Sequence, residues 1–369
     1  MQPKQIDTLT SLRFLAAASV VVAHMMGSIV PPFFSGAPLA LGVSFFFVLS
    51  GFILTYAYQG RFDARRFYIS RFARLWPVHI VTGLLAFVLL SPFLAKHPEW
   101  LAPSIANVLL LHAWVPVVGY VFSHNAVSWS ISAEMFFYLL FPVVRGRWLK
   151  LAFAATILGT ATTLAVLDTV PIPQGQPNIW SFSPSNLVLQ HPVMRLLEFL
   201  VGIATCRLYL SSRNDVPFAT IAEAGALISI LLFGISSNGI AAELTRYGWR
   251  HVGMWISQTG GMLLFAVTIF IFAHQRGRIS VLLKHRTIVW LGEISFCTYM
   301  AHQIIIRLFV KYSVSDRLGW IPASVLVLAT VYAASHILWR YWELPARLRI
   351  LELTKVRRAS TESAQGSFM

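Results

Sequence analysis

An arginine and a histidine lie within the first long apolar run of the chain, LRFLAAASVVVAHMMGSIV, where lipid-facing residues would be expected. Arg13 and His24 are 11 positions apart. On an α-helix they share one face, about 20° apart around the axis and roughly 16 Å apart along it. A charged residue near the centre of a membrane span costs about 2.5–3.5 kcal/mol on insertion, so polar residues there face protein or water. We predict that this helix face lies against a polar site.

A buried acid lies in a later apolar run, HNAVSWSISAEMFFYLLFP. Glu134 has Ser130 one turn before it and Tyr138 one turn after it on the same helix face. A carboxylate in this position must be paired, protonated or exposed to an aqueous cavity. Two interpretations stay open: an ion pair with an arginine such as Arg13 that stabilises the bundle, or a functional acid. The neighbouring Trp129 is predicted to line the same cavity.

A third polar group lies in WLGEISFCTYMAHQII, where Ser295, Tyr299 and His302 follow i, i+4, i+7 spacing and share one stripe. A single core histidine is usually structural, but a second histidine among hydroxyl residues favours a polar cavity. The last apolar run ends in YWELPARL, where Glu343 is expected to form a salt bridge with nearby arginines.

An arginine cluster, RFDARRFYISRFARLWP, precedes the third apolar run. Arg71 and Arg74 are three residues apart on one helix face, and Arg66 lies about one turn upstream. Guanidinium groups match phosphate oxygens bidentately, which predicts a nucleotide-like or pyrophosphate-bearing ligand. Contact with anionic lipid headgroups is the alternative. The cluster has no glycine-rich phosphate loop, which disfavours kinase chemistry.

Composition identifies an integral membrane protein: 57% of the residues are hydrophobic, only 12% are charged and the mean hydropathy is +0.67. The net charge of +15 comes from basic clusters between apolar runs, which is typical of cytoplasmic anchoring rather than of nucleic-acid binding. Cys206 and Cys297 have no metal-ligand spacing around them, so neither a disulfide framework nor a metal site is expected. The first apolar run has no cleavage site after it and is expected to stay in the protein.

We predict an all-α polytopic membrane bundle of about ten transmembrane helices plus one re-entrant or interfacial segment. The predicted spans cover 12–30, 39–58, 76–95, 127–144, 151–168, 193–210, 219–236, 252–273, 288–310 and 320–341. The segment 101–118 contains Pro103 and Pro116. If it crossed the membrane, the basic residues near 145–150 would lie outside, so the positive-inside rule favours ten crossings with both termini cytoplasmic. Residues 354–369 are expected to form a short, disordered polar tail on the cytoplasmic side.

Six motifs occur in one order along the chain: LRFLAAASVVVAH, FFFVLSGFIL, SRFARLWP, WSISAEMFFYLLFP, LGEISFCTYMAH and ELP. This set resembles the acyltransferase-3 family of membrane O-acyltransferases over about residues 9–347, which would form the membrane acyltransferase domain. Within the family the chain is similar to forms without an appended hydrolase-like domain. It departs at Thr10, where many members have an acid, and at His79, where many have an aromatic residue.

The resemblance implies transfer of an acyl group, typically acetyl from acetyl-CoA, to a hydroxyl of a sugar in an exopolysaccharide, O-antigen or other surface glycan. Acyl-CoA would be a donor substrate rather than a bound cofactor, and the partners would be the glycan acceptor and the lipids of a bacterial inner membrane. The family's essential arginine and histidine fall on Arg13 and His24. Its loop arginines fall on Arg71 and Arg74, and its buried acid on Glu134.

Acyl transfer to an alcohol needs a base near pH 7, and His24 is our candidate, either as the base or as an acyl carrier. Arg13 is expected to bind CoA phosphates or to hold a carboxylate. An oxyanion donor is also needed, and Ser130, Ser295 and Tyr299 are unranked candidates. A secondary transporter or flippase with an intramembrane His/Glu/Arg relay is the alternative function, although the sequence has no evident inverted repeat. Neither the acceptor nor the oligomeric state follows from the sequence.

Overall fold

The computed structural model describes residues 5–31, 41–60, 62–91, 97–170, 178–212 and 218–354, and this part of the chain is almost wholly helical with no strand. Its α-helices, in chain order, are α1 (Asp7–Met25), α2 (Gly42–Ala57), α3 (Ala64–Leu90), α4 (Leu101–Val108), α5 (Val118–Val121), α6 (Trp129–Val144), α7 (Leu149–Thr169), α8 (Pro184–Gln190), α9 (Leu196–Ser211), α10 (Ala219–Arg246), α11 (Arg250–Thr259), α12 (Met262–Ala273), α13 (Arg278–Leu283), α14 (Arg286–Glu293), α15 (Ser295–Lys311), α16 (Val314–Leu318) and α17 (Trp320–Leu338).

The all-α membrane class is confirmed. Within the described ranges, seven helical stretches are long and apolar enough to cross a membrane: Asp7–Met25, Ala64–Leu90, Ala126–Val144, Leu149–Thr169, Ala219–Arg246, Arg250–Ala273 and Trp320–Thr354. Helices α2, α9 and α15 have 16, 16 and 17 residues and contribute many buried side chains to the core. The number of about ten crossings stays a prediction. Apart from Thr354, the predicted tail 354–369 lies outside the described residues.

The segment 101–118 forms no continuous helix. It contains α4, a 3₁₀ turn at His112–Trp114 and the start of α5, and none of these reaches the length of a span. Asn107 anchors the segment, because its side-chain amide donates to the carbonyl and hydroxyl oxygens of Ser123, both at 3.0 Å. His79 of α3 donates from Nε2 to the Asn107 carbonyl at 2.9 Å. His79 therefore binds this segment to α3.

Helices α2 and α9 pack with their backbones in close approach at two glycines. A Cβ at Gly51 would lie 2.1 Å from the Phe199 carbonyl oxygen, and one at Gly202 would lie 1.9 Å from the Val48 carbonyl oxygen. Small residues at a crossing let membrane helices approach this closely, and the gain is van der Waals contact. Around this contact the rings of Phe137 and Phe199 stack with centroids 5.0 Å apart. This packing fixes the position of α2, which contributes one wall of the site described next.

Candidate active site

A cavity of about 140 Å³ lies between α1, α2, α3, α6 and α15, and we call it the central cavity. Aromatic and aliphatic side chains such as Phe46, Phe47 and Phe296 form much of its wall. Its polar lining consists of Arg13, Ser50, Arg71, Arg74, Ser130, Glu134, Tyr138, Ser295 and Tyr299. The structure therefore brings the polar residues of four separate motifs together with Ser50 of a fifth.

Hydroxyl groups hold the carboxylate of Glu134. Its Oε1 atom accepts hydrogen bonds from Ser50 Oγ at 3.0 Å and from Tyr138 OH at 2.5 Å. Arg13 lines the same cavity. Among the described residues, however, the arginines in ion pairs are Arg74, Arg195 and Arg246. The direct Arg13–Glu134 ion pair considered from the sequence is therefore not formed, and the donors to Glu134 Oε1 are the hydroxyl groups of Ser50 and Tyr138.

Arg74 forms the ion pair expected for Glu343, whose side chain is fully buried. The other carboxylate oxygen of Glu343 accepts a hydrogen bond from the Cys297 thiol at 3.0 Å. Glu343 ends a π-helical turn, Trp339–Glu343, and such turns often occur at functional sites. The Arg74 guanidinium also lies over the Phe296 ring, 5.4 Å from its centroid. Arg74 is thus held from two sides.

Arg71 lies beside Arg74 in the cavity wall, with its guanidinium 5.8 Å from the Tyr138 ring centroid. Arg66 is in a different environment. It is exposed in the first turn of α3, where its backbone N–H donates to the Asp63 side chain at 3.0 Å, and it does not line the cavity. The structure therefore groups Arg71 and Arg74 with the cavity and leaves Arg66 outside it.

Trp129 lies behind the cavity wall rather than in it. Its ring contacts Phe47 edge to face, with centroids 6.2 Å apart, and Arg195 lies over it at 5.9 Å. Arg195 and Glu198 form a buried ion pair at 2.9 Å, and the Ser44 hydroxyl donates to Glu198. Our sequence reasoning missed this pair. The signal was an arginine and a glutamate at i, i+3 spacing in RLLEFLVG.

His24 and His302 form a hydrogen-bonded pair. The Nδ1–H groups of the two rings donate to backbone carbonyls, that of His24 to Val20 at 2.9 Å and that of His302 to Tyr299 at 2.6 Å. Because a carbonyl oxygen only accepts, Nδ1 carries the proton in both rings, and the unprotonated Nε2 of His302 accepts from His24 Nδ1 at 3.3 Å. The Nε2 atom of His24 is therefore the basic nitrogen of that ring.

This pair lies next to the central cavity but does not line it. His302 follows the cavity residue Tyr299 by three positions, a rise of about 4.5 Å. The ring centroids of Tyr299 and His302 are 5.7 Å apart, and those of His302 and His24 are 5.1 Å apart. Tyr299 also shares a 2.8 Å hydrogen bond with Ser130. A continuous series of contacts therefore joins the cavity hydroxyls to His24.

These residues supply the parts that acyl transfer needs. Guanidinium groups can bind a phosphate-bearing donor, hydroxyl groups can donate to a developing oxyanion, and a histidine nitrogen can accept a proton. The described residues contain no cluster of three or more His, Cys, Asp or Glu side chains that could hold a metal ion.

Comparison with known proteins shows the family of the chain. A family model described as an acyltransferase domain matches residues 6–340. Acyltransferase MdmB of Streptomyces mycarofaciens is 27% identical to the chain, in an alignment that covers 90% of this chain and 88% of that protein. No solved structure matches significantly.

Two relatives that are named O-acetyltransferases are longer than this chain. Peptidoglycan O-acetyltransferase OatA of Listeria monocytogenes is 25% identical over 93% of this chain and 56% of its own length. O-acetyltransferase OatA of Staphylococcus aureus is 26% identical over 94% of this chain and 58% of its own length. The chain thus spans little more than half of each of these two relatives.

Proposed function

Because the chain belongs to the acyltransferase-3 family, we propose that it moves an acetyl group from cytosolic acetyl-CoA to a sugar hydroxyl of an exopolysaccharide, O-antigen or other surface glycan. The observation that carries this proposal is the central cavity, with Arg13, Arg71 and Arg74 in its wall and the His24–His302 pair in contact with its residue Tyr299. The relatives named as O-acetyltransferases support the acetyl group, and the one named for peptidoglycan supports a glycan acceptor.

The arginines of the cavity are suited to the donor. Coenzyme A carries phosphate groups that guanidinium forks bind through charge-assisted hydrogen bonds. Arg74 is fixed by Glu343 and Phe296, so it loses little side-chain freedom when a phosphate binds. Arg71 has no carboxylate partner within the described part of the chain, and its charge is available to an anion.

In the proposed reaction the acceptor oxygen attacks the carbonyl carbon of the thioester while His24 Nε2 takes the hydroxyl proton. The C–S bond then breaks, the acyl group stays on the acceptor oxygen, and the coenzyme A sulfur leaves and recovers the proton from the imidazolium. The Val20 carbonyl holds the His24 ring through Nδ1 and stabilises the imidazolium. Ser130 and Tyr299, which share one hydrogen bond, are the proposed donors to the oxyanion.

The test uses the full chain purified in detergent with acetyl-CoA and a panel of methyl glycosides. Free thiol measures CoA release, and mass spectrometry measures the O-acetyl ester. We expect CoA release that requires a glycoside and matches the ester formed. To test for transport, the same chain is placed in sealed vesicles and the uptake of the glycosides is measured. Uptake without any ester, or the absence of glycoside-dependent CoA release across the panel, would contradict the proposal and favour a transporter.

A further inference from the structure

A second cavity, of about 360 Å³, lies where the end of α3, the 3₁₀ turn Pro98–Trp100, the residues after α5 and the second half of α15 meet. Its volume is within the roughly 300–1,000 Å³ typical of small-molecule sites. Its lining includes His97, Glu99, Trp100, His124 and Arg307. None of these residues belongs to the acyl-transfer machinery described above.

Along α15, His302 of the histidine pair lies between the two cavities. Helix α15 contributes Tyr299 to the central cavity and Arg307 to the second cavity, roughly 12 Å further along its axis. His302 is between them on the same helix. Helix α3 also extends from the central cavity to the second cavity. Arg74 of α3 lines the central cavity, and Ser91, the residue after the end of α3, lines the second. Along these two helices the second cavity therefore lies beyond His302, the hydrogen-bond partner of His24, as seen from the donor arginine Arg74.

The lining of the second cavity combines an aromatic face with polar groups. The Trp100 ring is supported edge to face by Trp180, with centroids 5.1 Å apart. His97 and Glu99 lie 3.1 Å apart. His124 bonds Ser104 through Nε2 at 2.9 Å, whereas its buried Nδ1 atom has no partner in the described part of the chain.

His124 also has a left-handed backbone, with φ of +55°, an uncommon and costly conformation for a residue other than glycine. Such strain is kept at positions where the surrounding structure fixes a side chain in place. His124 is therefore held in the cavity wall by its backbone conformation and by its hydrogen bond with Ser104.

We propose that the second cavity binds the acceptor as a saccharide that carries an anionic group, with its ring on Trp100 and its anion at Arg307. An indole offers a broad apolar face that suits the C–H face of a pyranose ring. Glu99 is suited to bond sugar hydroxyls, and the exposed guanidinium of Arg307 is suited to a carboxylate or a phosphate. Only the role of the saccharide as acceptor rests on the proposed function.

Direct binding tests this site without any need for catalysis. Saturation-transfer NMR on the full chain in detergent compares methyl β-glucuronoside and glucose 6-phosphate with methyl β-glucoside as the neutral reference. We expect at least one anionic sugar to bind about ten- to a hundredfold more tightly than the reference, because a charge-assisted contact is worth that much. Which anion binds more tightly tells a carboxylate acceptor from a phosphate acceptor.

Three variants identify the residues responsible. Arg307→Gln should abolish the preference for the anionic sugar, and Trp100→Ala should weaken binding of all three sugars at least tenfold. Arg317 is an exposed arginine on α16. The matched control Arg317→Gln should bind the sugars as the wild type does. Thermal unfolding of each variant checks that the chain stays folded.

Absence of sugar binding by the wild type, equal binding of neutral and anionic sugars, or an anionic preference that survives Arg307→Gln would overturn the proposal. Sugar binding as predicted, together with no CoA release in the assay above, would refute the acyltransferase function and leave the saccharide site standing.

Discussion

Among single residues, Glu343 has the most demanding environment. Its buried carboxylate accepts from the Arg74 guanidinium and from the Cys297 thiol. When one partner of a buried ion pair is removed, the other is left without compensation for its lost hydration. Glu343 therefore acts on the donor site through Arg74 and is a positioning residue rather than a catalytic one.

The first prediction concerns this pair. Glu343→Gln should lower the free energy of unfolding by about 1.5–3 kcal/mol and weaken acetyl-CoA binding, because Arg74 loses its charged partner. Arg74→Gln/Glu343→Gln should recover part of the stability, since no unpaired charge remains, but none of the acetyl-CoA affinity. Thermal unfolding and calorimetric titration measure the two effects. Equal recovery of stability and affinity in the double variant would show that Arg74 has no part in donor binding.

The second prediction is that Arg71→Ala/Arg74→Ala raises the KM for acetyl-CoA more than the KM for the acceptor. Each lost charge-assisted contact should cost about 1.5–3 kcal/mol, or roughly ten- to a hundredfold in donor affinity. Arg286 is an exposed arginine at the start of α14. The control variant Arg286→Ala should have the same KM for acetyl-CoA as the wild type. An unchanged donor KM in the double variant would mean that these arginines contact only lipid.

The sequence predicted much of this site because helical spacing reports which side chains share a face. Glu134 and Tyr138 do hydrogen bond across one turn, and Tyr299 and His302 do meet one turn apart. Contacts between helices are not encoded in spacing. Ser50, which donates to Glu134 from another helix, was missed for that reason, and so was the hydrogen bond between Ser130 and Tyr299.

Among the elements, the α2–α9 crossing is the one on which the site depends most. The two glycine faces leave no room for a side chain, since any added Cβ would meet backbone rather than a movable side chain. Displacing α9 would shift α2 and with it Ser50, the cavity residue that donates to Glu134.

The third prediction is that Gly202→Leu prevents recovery of monodisperse protein or lowers its unfolding temperature by more than 10 °C, as expected for overpacking of a core. Gly159→Leu is the matched control. Gly159 is exposed on α7 with open space around it, so the same substitution should be tolerated there. Size-exclusion chromatography measures the monodispersity of both variants, and thermal unfolding measures their unfolding temperatures. A normal Gly202→Leu protein would contradict the close helix approach.

Hydrophobic runs predicted where most helices lie, but not where two of them break. The predicted span 252–273 is divided into α11 and α12 at Gly260 and Gly261, and the span 288–310 is divided into α14 and α15 near Ile294. The first break lies in SQTGG and the second next to Gly292 and Glu293, short polar or glycine-containing stretches that the average hydropathy of a long window does not resolve. At the second break Gly292 packs against the backbone of Thr10, a long-range contact that only the folded chain provides.

For the whole molecule, the basic clusters are the basis of the predicted orientation. Arg71 and Arg74 near the start of α3, Arg145 after α6 and Arg207 near the end of α9 fall on one side if the segment 101–118 does not cross. The fragmented structure of that segment is compatible with this topology.

The fourth prediction is that Gly60→Cys, in the loop before α3, resists an impermeant thiol reagent added outside intact cells, whereas Asp316→Cys, in the exposed turn after α15, reacts. Both positions are exposed, and the native Cys206 and Cys297 are buried and should not interfere. Labelling after membrane permeabilisation should reach both positions. Reaction of Gly60→Cys from outside would reverse the proposed orientation and with it the cytosolic donor.

His24 is the proposed base for acyl transfer, and the acetylation rate of the His24→Ala variant shows whether it has that role. General-base assistance is typically worth 10²–10⁴-fold, so the rate with a glycoside that the wild type acetylates should fall by at least that much. The variant should stay monodisperse, because the exposed imidazole of His24 leaves no buried charge unpaired when it is removed. Its affinity for acetyl-CoA should also stay within about twofold of the wild type, since the donor arginines are unchanged. A folded His24→Ala protein that acetylates within tenfold of the wild-type rate would contradict the role of His24 as the base.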